Sequence, residues 1–350
     1  MKSLTRDLLL TLVAVYSCTA FAHHSFQATF KSDETIQVEG MVTDYRFYNP
    51  HILVYLDVTN ADGTTTNWMS EGAAANLMRR SGWGRNTLQQ GDLVRVHGNS
   101  TRDGSPMVAI ESIDVLNPDD GSVVQVLRRG RERGAAPEQV ETLPLKLPDG
   151  RPNLTGAWIQ NFAARRGPPG SQDSRPPFNA AGAAAQAAYN QADDPQIFCE
   201  PPGLVRQAAF TPHPIRITQH DDHVILEYEE YAGRRIIYLS GEAPAAGTKS
   251  HLGDSVARYE GDALVIETAN LLGNPTSPAG NQLSERTTVV ELYTRADSPQ
   301  YGPTLSIETR ITDPGYLQGT WAVRRTKVYS AGYEFIENDC RPPLRERSSR

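Results

Sequence analysis

The sequence predicts an all-β protein: an N-terminal OB-like small barrel followed by a C-terminal lipocalin-like antiparallel β-barrel or strongly curved sheet. Three observations carry this prediction. Runs of β-branched and aromatic residues are short, turn groups such as Ala61-Asp62-Gly63, Asp103-Gly104 and Gly261-Asp262 separate them, and Gly 28 with Pro 24 in 350 residues is high for a helical chain. The length is enough for two domains of typical size. A formal charge of −7 gives no global basic field to hold a phosphate backbone. Nucleic acid is thereby set aside, which leaves a small organic ligand, a protein or a metal as partner.

Residues 1–22 read as a secretory signal, because Lys2 and Arg6 precede an apolar stretch and Ala20-Phe21-Ala22 offers a small-x-small cleavage site. Asp7 is slightly off that pattern. Val15-Tyr16-Ser17-Cys18 approaches a lipidation box with Tyr16 out of place, so a lipid on Cys18 stays open. Later stretches fall short of the roughly eighteen apolar residues of a membrane helix, and the expected address is periplasmic or secreted, not membrane-spanning. After processing, Cys199 and Cys340 are the cysteines that stay, and an oxidising compartment makes a disulfide between them the expectation.

Along residues 23–118, strands are expected over 36–47, 52–58 and 64–71, a helix over 73–81 stopped by Gly82, and strands over 93–98 and 107–116. The order β-β-β-α-β-β is that of an OB-type barrel. Residues 119–198 read as a linker: a basic run from Arg128 to Arg133, then Pro-rich text, then a short Ala-rich helix over 180–190. From 199 to 345 strands dominate. Nine are expected, over 215–218, 223–231, 234–240, 255–259, 263–268, 287–294, 304–312, 321–330 and 333–337, which suits an up-and-down barrel.

The groups His23-His24-Ser25-Phe26, Asn49-Pro50-His51 and Gly82-Trp83 with Arg85, Leu88 and Gly91-Asp92 resemble an uncharacterised family of bacterial secreted OB-like domains. The C-terminal region, with Cys199, Pro201-Pro202-Gly203, Arg234-Arg235-Ile236, Tyr259-Glu260-Gly261-Asp262 and Asp313-Pro314, is similar to a second uncharacterised secreted β domain. The resemblance implies secretion and fold but brings no reaction with it. Phe47 and Tyr259 stand where these families lead one to expect Trp.

Candidate chemistry falls in three places. The loop Phe47-Tyr48-Asn49-Pro50-His51 joins the first two strands, where OB barrels commonly bind ligands, against the plainer reading of a turn that His51 caps. In the second domain, period-two alternation puts Glu227 and Glu229 on one face of their strand and Arg234 with Tyr238 on one face of the next. Glu229, Arg234, Tyr238 and Glu291 are therefore expected to converge in the lumen as a ligand site, with acid–base chemistry open to it. The plainer alternative is the solvent face of an antiparallel sheet, which alternates in the same way. His220-Asp221-Asp222-His223 has a composition suited to metal but no metal-ligand spacing.

Cleavage after Ala22 would also leave the amine and ring of His23, with His24 and His51, as nitrogen ligands suited to copper. The leading expectation is a periplasmic small-molecule-binding protein whose OB-like domain docks a protein partner or covers the barrel mouth. A copper-binding protein and a structural envelope module are the alternatives.

Overall fold

The computed structural model describes residues 29–128, 142–160, 175–190, 193–210, 213–240, 242, 244–277 and 280–340. The signal, Cys18, His23 and His24 lie outside the described residues.

The N-terminal segment is built from β1 (Phe30–Arg46), β2 (Leu53–Thr59), β3 (Thr65–Glu71), the short helix α1 (Ala75–Arg79), β4 (Leu93–Thr101), β5 (Met107–Leu116) and β6 (Val123–Arg128). β1 pairs with β2 and β4, β2 with β3, β4 with β5, and β3 closes the ring by a parallel pairing with β5. This is the strand order of an OB barrel. The alternation of apolar residues decides which side faces in: Val38 and Val42 of β1, Val54 and Leu56 of β2, and Val94 and Val96 of β4 are all buried. Helix α1 adds Ala75 and Met78 to the same core, and Trp83 is anchored there by donating from Nε1 to the Arg128 carbonyl at 3.1 Å. At Gly98 the β4–β5 register shifts, and a Cβ there would stand 1.8 Å from the Ala109 carbonyl oxygen, so the close approach of the two backbones requires glycine.

The C-terminal region is a closed barrel of nine strands: β7 (Gly156–Gln160), β8 (Ile215–Gln219), β9 (His223–Tyr228), β10 (Arg234–Leu239), β11 (Asp254–Glu260), β12 (Ala263–Ala269), β13 (Thr288–Ser298), β14 (Gly302–Thr312) and β15 (Trp321–Tyr329). Neighbours in the ring follow chain order, and β15 returns to pair with β7. A ring with an odd number of strands cannot alternate direction all the way round. One neighbouring pair must run parallel, and here it is β10–β11, held by only Tyr238↔Val256 and Leu239↔Ala257. Strands in parallel need a longer connection than a hairpin, and residues 240–253 supply it. Helix α2 (Ala180–Ala187) lies outside the ring, capped by the Asn179 side chain, which accepts from Gly182 N.

The lumen is packed with Trp158, Ile217, Leu226, Ile266, Tyr293, Ile307 and Val323, each no more than 2% exposed. The outward face of β14 and β15 carries charges instead, with Glu308 bridging Arg310 and Arg324. Cys199 and Cys340 form the expected disulfide, with Cα atoms 5.6 Å apart across 141 residues of chain.

Three elements differ from the sequence expectation. β6 and β7 fall within residues 119–198, where a linker was expected; β6 extends the N-terminal sheet, and β7 takes the place beside β15. Residues 333–337 therefore have no ladder to join, and they run to the other domain, where Ile336 is buried in the OB-type core. The strand expected over 223–231 stops at Tyr228, because Tyr231 and Ala232 take φ of 54° and 48° and turn the chain before β10.

Candidate functional site

The parallel seam positions the candidate site. Because β10 and β11 are joined at only two residue pairs, the wall between them splays, and an open groove of about 610 Å³ lies there. From β10 it takes Arg234, Ile236 and Tyr238; from the connection and β11 it takes His251, Leu252, Asp254 and Ser255; Tyr231 and Gln207 complete the wall. Ile236 and Tyr238 are 46% and 60% exposed, which is high for large apolar side chains that neighbour each other on one strand face. Their placement follows from period two: with Arg235 and Ile237 turned to the lumen, Arg234, Ile236 and Tyr238 must face out.

Beneath the groove a polar network crosses the barrel interior. Arg235 Nη1 donates to Glu291 Oε2 at 2.7 Å and to the Tyr228 hydroxyl at 2.9 Å, while Nη2 donates to Ser255 Oγ and Thr268 Oγ1, both at 2.8 Å. The Tyr293 hydroxyl donates to Glu291 Oε1 at 2.8 Å. Burial disfavours the guanidinium charge, but the Glu291 carboxylate and the two phenols outweigh it and raise Arg235 above its ordinary value. Burial pushes the Tyr228 hydroxyl up to about 12 and raises Tyr293 well above its ordinary value, so both phenols stay protonated. Ser255 belongs both to this network and to the groove wall.

The four residues expected to converge do not meet. Glu291 is in the lumen at 0% exposure; Arg234 and Tyr238 face outward onto the groove; the inward arginine is Arg235, one residue on. Glu229 is buried elsewhere, because the chain has already left the strand when it reaches this residue. Its Oε1 accepts from Asn49 Nδ2 at 3.1 Å, and its Oε2 accepts from the Tyr333 hydroxyl at 2.9 Å and the Ile336 backbone N–H at 3.0 Å. Burial alone would raise Glu229, and these donors together with His213 hold it below the ordinary carboxylate value.

Glu229 thus ties the barrel to the OB-like domain. Asn49 N–H donates to the Glu337 carbonyl and Asp339 N–H to the Asn49 carbonyl, both at 3.0 Å, so the 47–51 loop is occupied by the chain's own C-terminal segment. Phe47, the first residue of that candidate ligand loop, is 3% exposed and packs in the OB-type core. The Asn76 amide donates to His213 Nδ1 at 2.8 Å, and Lys327 Nζ donates to the His213 carbonyl at 2.7 Å. Burial, reinforced by the charges of Arg80 and Arg325, brings Lys327 down to about 7. His51, by contrast, turns its Nδ1 to the Gly72 carbonyl at 3.0 Å, with Glu71 at 3.3 Å.

Among the described residues, no group of three or more His, Cys, Asp or Glu side chains is gathered to hold a metal ion. The paired rings of His220 and His223, with centroids 4.3 Å apart, stack beside Tyr238 instead. Sequence reasoning did not place Arg235, Ser255 or His251 at the ligand site. The signal that could have found the first is the apolar partner set: Val224, Leu226 and Ile237 are the inward positions of β9 and β10, and Arg235 shares the Ile237 face.

No curated protein matches the chain. Residues 11–109, fewer than a third of the 350, match the model of a family of unknown function (DUF6152), so the likeness is that of the segment carrying Asn49-Pro50-His51 and Gly82-Trp83, with no activity attached to it.

Proposed function

We propose that the protein binds a small organic molecule in the groove at the β10–β11 seam of its C-terminal barrel, and that it does so after export, with the OB-like domain serving as a brace for the barrel. The observation that carries this reading is the groove itself: about 610 Å³, within the size range of ligand sites, walled by exposed Ile236 and Tyr238 and floored by polar groups of Ser255 and Arg235. The reading is one of binding and not of turnover. Both carboxylate oxygens of Glu291 are already engaged, Oε2 by Arg235 and Oε1 by the Tyr293 hydroxyl, so neither is turned to the groove. Export is supported by the signal-like N-terminus and by the Cys199–Cys340 bridge, which suits an oxidising compartment.

The test is an unbiased mass-spectrometric search for small molecules retained by natively purified protein, run beside Ile236→Trp, which fills the groove without touching the lumen network. A compound held by the parent and lost from the variant is expected. The same compounds in both samples, or none in either, would overturn the proposal.

A further inference from the structure

The geometry points to an organic anion, a carboxylate on an apolar or aromatic body, as the class of molecule that the seam groove takes; this rests on the binding reading above. The first observation is an unpaired cation. The barrel's other outward arginines find carboxylates: Arg258 reaches Glu260 and Glu267, and Arg310 and Arg324 share Glu308. Arg234 has Glu227 as its cross-strand partner in the β9–β10 ladder, yet the Glu227 carboxylate lies 4.0 Å from Arg216 of β8. Among the described residues, Arg234 makes no ion pair, and it lines the groove.

The second observation is unused hydrogen-bonding capacity in the same walls. The buried nitrogens Arg235 Nε and His251 Nδ1 have no hydrogen-bond partner, although both residues line the groove. The Arg235 charge is already met by Glu291 in the lumen, so Arg234 is the guanidinium left to a ligand, and a carboxylate is the acceptor that matches its fork. Against that guanidinium stands one acid, Asp254, whose Oδ2 already accepts from Asn270 Nδ2 at 2.7 Å.

The third observation is the remaining wall. Tyr231, Tyr238, Ile236 and Leu252 offer flat apolar surface to the body of the ligand. A cation at one side and aromatic and aliphatic surface at the other select an amphipathic acid over a sugar or an inorganic ion.

The test uses the full chain and three probes with one ring system and different heads: 2-naphthoate, 2-naphthylmethanol and 2-naphthylmethylammonium, titrated calorimetrically at low salt. The carboxylate is expected to bind at least tenfold more tightly than the alcohol, and the ammonium least. Arg234→Gln should remove that preference while leaving the alcohol's affinity unchanged. Alcohol and carboxylate of equal affinity, or the ammonium tightest, would overturn the anion assignment and leave the groove as a neutral or cation site. A carboxylate preference that survives Arg234→Gln would overturn it as well, since the selecting charge would lie elsewhere. Binding of none of the three would overturn the assignment together with the groove reading on which it rests.

Discussion

Replacing Arg235 and, separately, Arg234 by alanine tests the barrel's register at its most sensitive point, because adjacent residues on one strand should differ by an order of magnitude in their effect on stability. Arg235 is 4% exposed and makes four hydrogen bonds, one of them to a carboxylate that is itself fully buried. Arg235→Ala leaves Glu291 with the Tyr293 hydroxyl donating to Oε1 and without its Arg235 countercharge. Stranding one member of a buried ion pair costs about 3–5 kcal/mol. Arg234→Ala removes an outward side chain and should stay within about 0.5 kcal/mol. The assay is calorimetric melting, with amide hydrogen exchange in β12–β14 assigning the transition to the barrel; at about 2–4 °C per kcal/mol for a domain of this size, Arg235→Ala should lower it by roughly 10 °C. The double variant Arg235→Met with Glu291→Leu should recover most of the loss, since no charge is then stranded. Equal effects of the two single variants, or a large effect of Arg234→Ala alone, would refute the reasoning, because a slip of one residue exchanges the two faces.

Reduction of the Cys199–Cys340 bridge, or Cys340→Ser, removes a link across 141 residues, for which loop entropy gives about 5 kcal/mol; the barrel transition should fall, and exchange should rise over residues 333–339 first. Lys327, depressed to about 7 from 10.5, is protonated in the unfolded chain up to its ordinary value but neutral in the folded one above 7. Stability should therefore rise by about 2 kcal/mol between pH 7 and 9 and lose that slope in Lys327→Met, as urea titrations at several pH values would read. Glu229→Ala strips three donors of their acceptor at the contact between the domains and should cost about 1–3 kcal/mol, with increased exchange in both the 47–51 loop and residues 333–339; a change confined to one domain would show that Glu229 does not join them.

Much of the fold was legible in the sequence because its signals are local. Apolar alternation in 36–47 and 52–58 marks β1 and β2, Gly91-Asp92 marks the entry to β4, and the turn pairs of the C-terminal half locate eight of its nine strands. β7 was hidden because Gly156-Ala157-Trp158-Ile159-Gln160 is too short to alternate visibly, and its partners β8 and β15 are distant in sequence. The site was less legible for a different reason. Arg234-Arg235 offers the same residue on both faces, so composition cannot say which guanidinium turns inward; only the ladder with β9 decides it. Likewise Glu229 lies two residues beyond Glu227, and alternation predicts a shared face until the left-handed backbone at Tyr231 and Ala232 ends the strand. The groove itself is a topological consequence of an odd strand count, a property that no local pattern encodes.

The most direct measurement of the central claim is amide hydrogen exchange on the full chain with and without saturating 2-naphthoate. Binding at the seam predicts added protection in β10 and in residues 250–256, with the OB-like domain and β13–β15 unchanged. Unaltered exchange in β10 and 250–256, or protection centred on another part of the molecule, would contradict the assignment of the groove as the binding site.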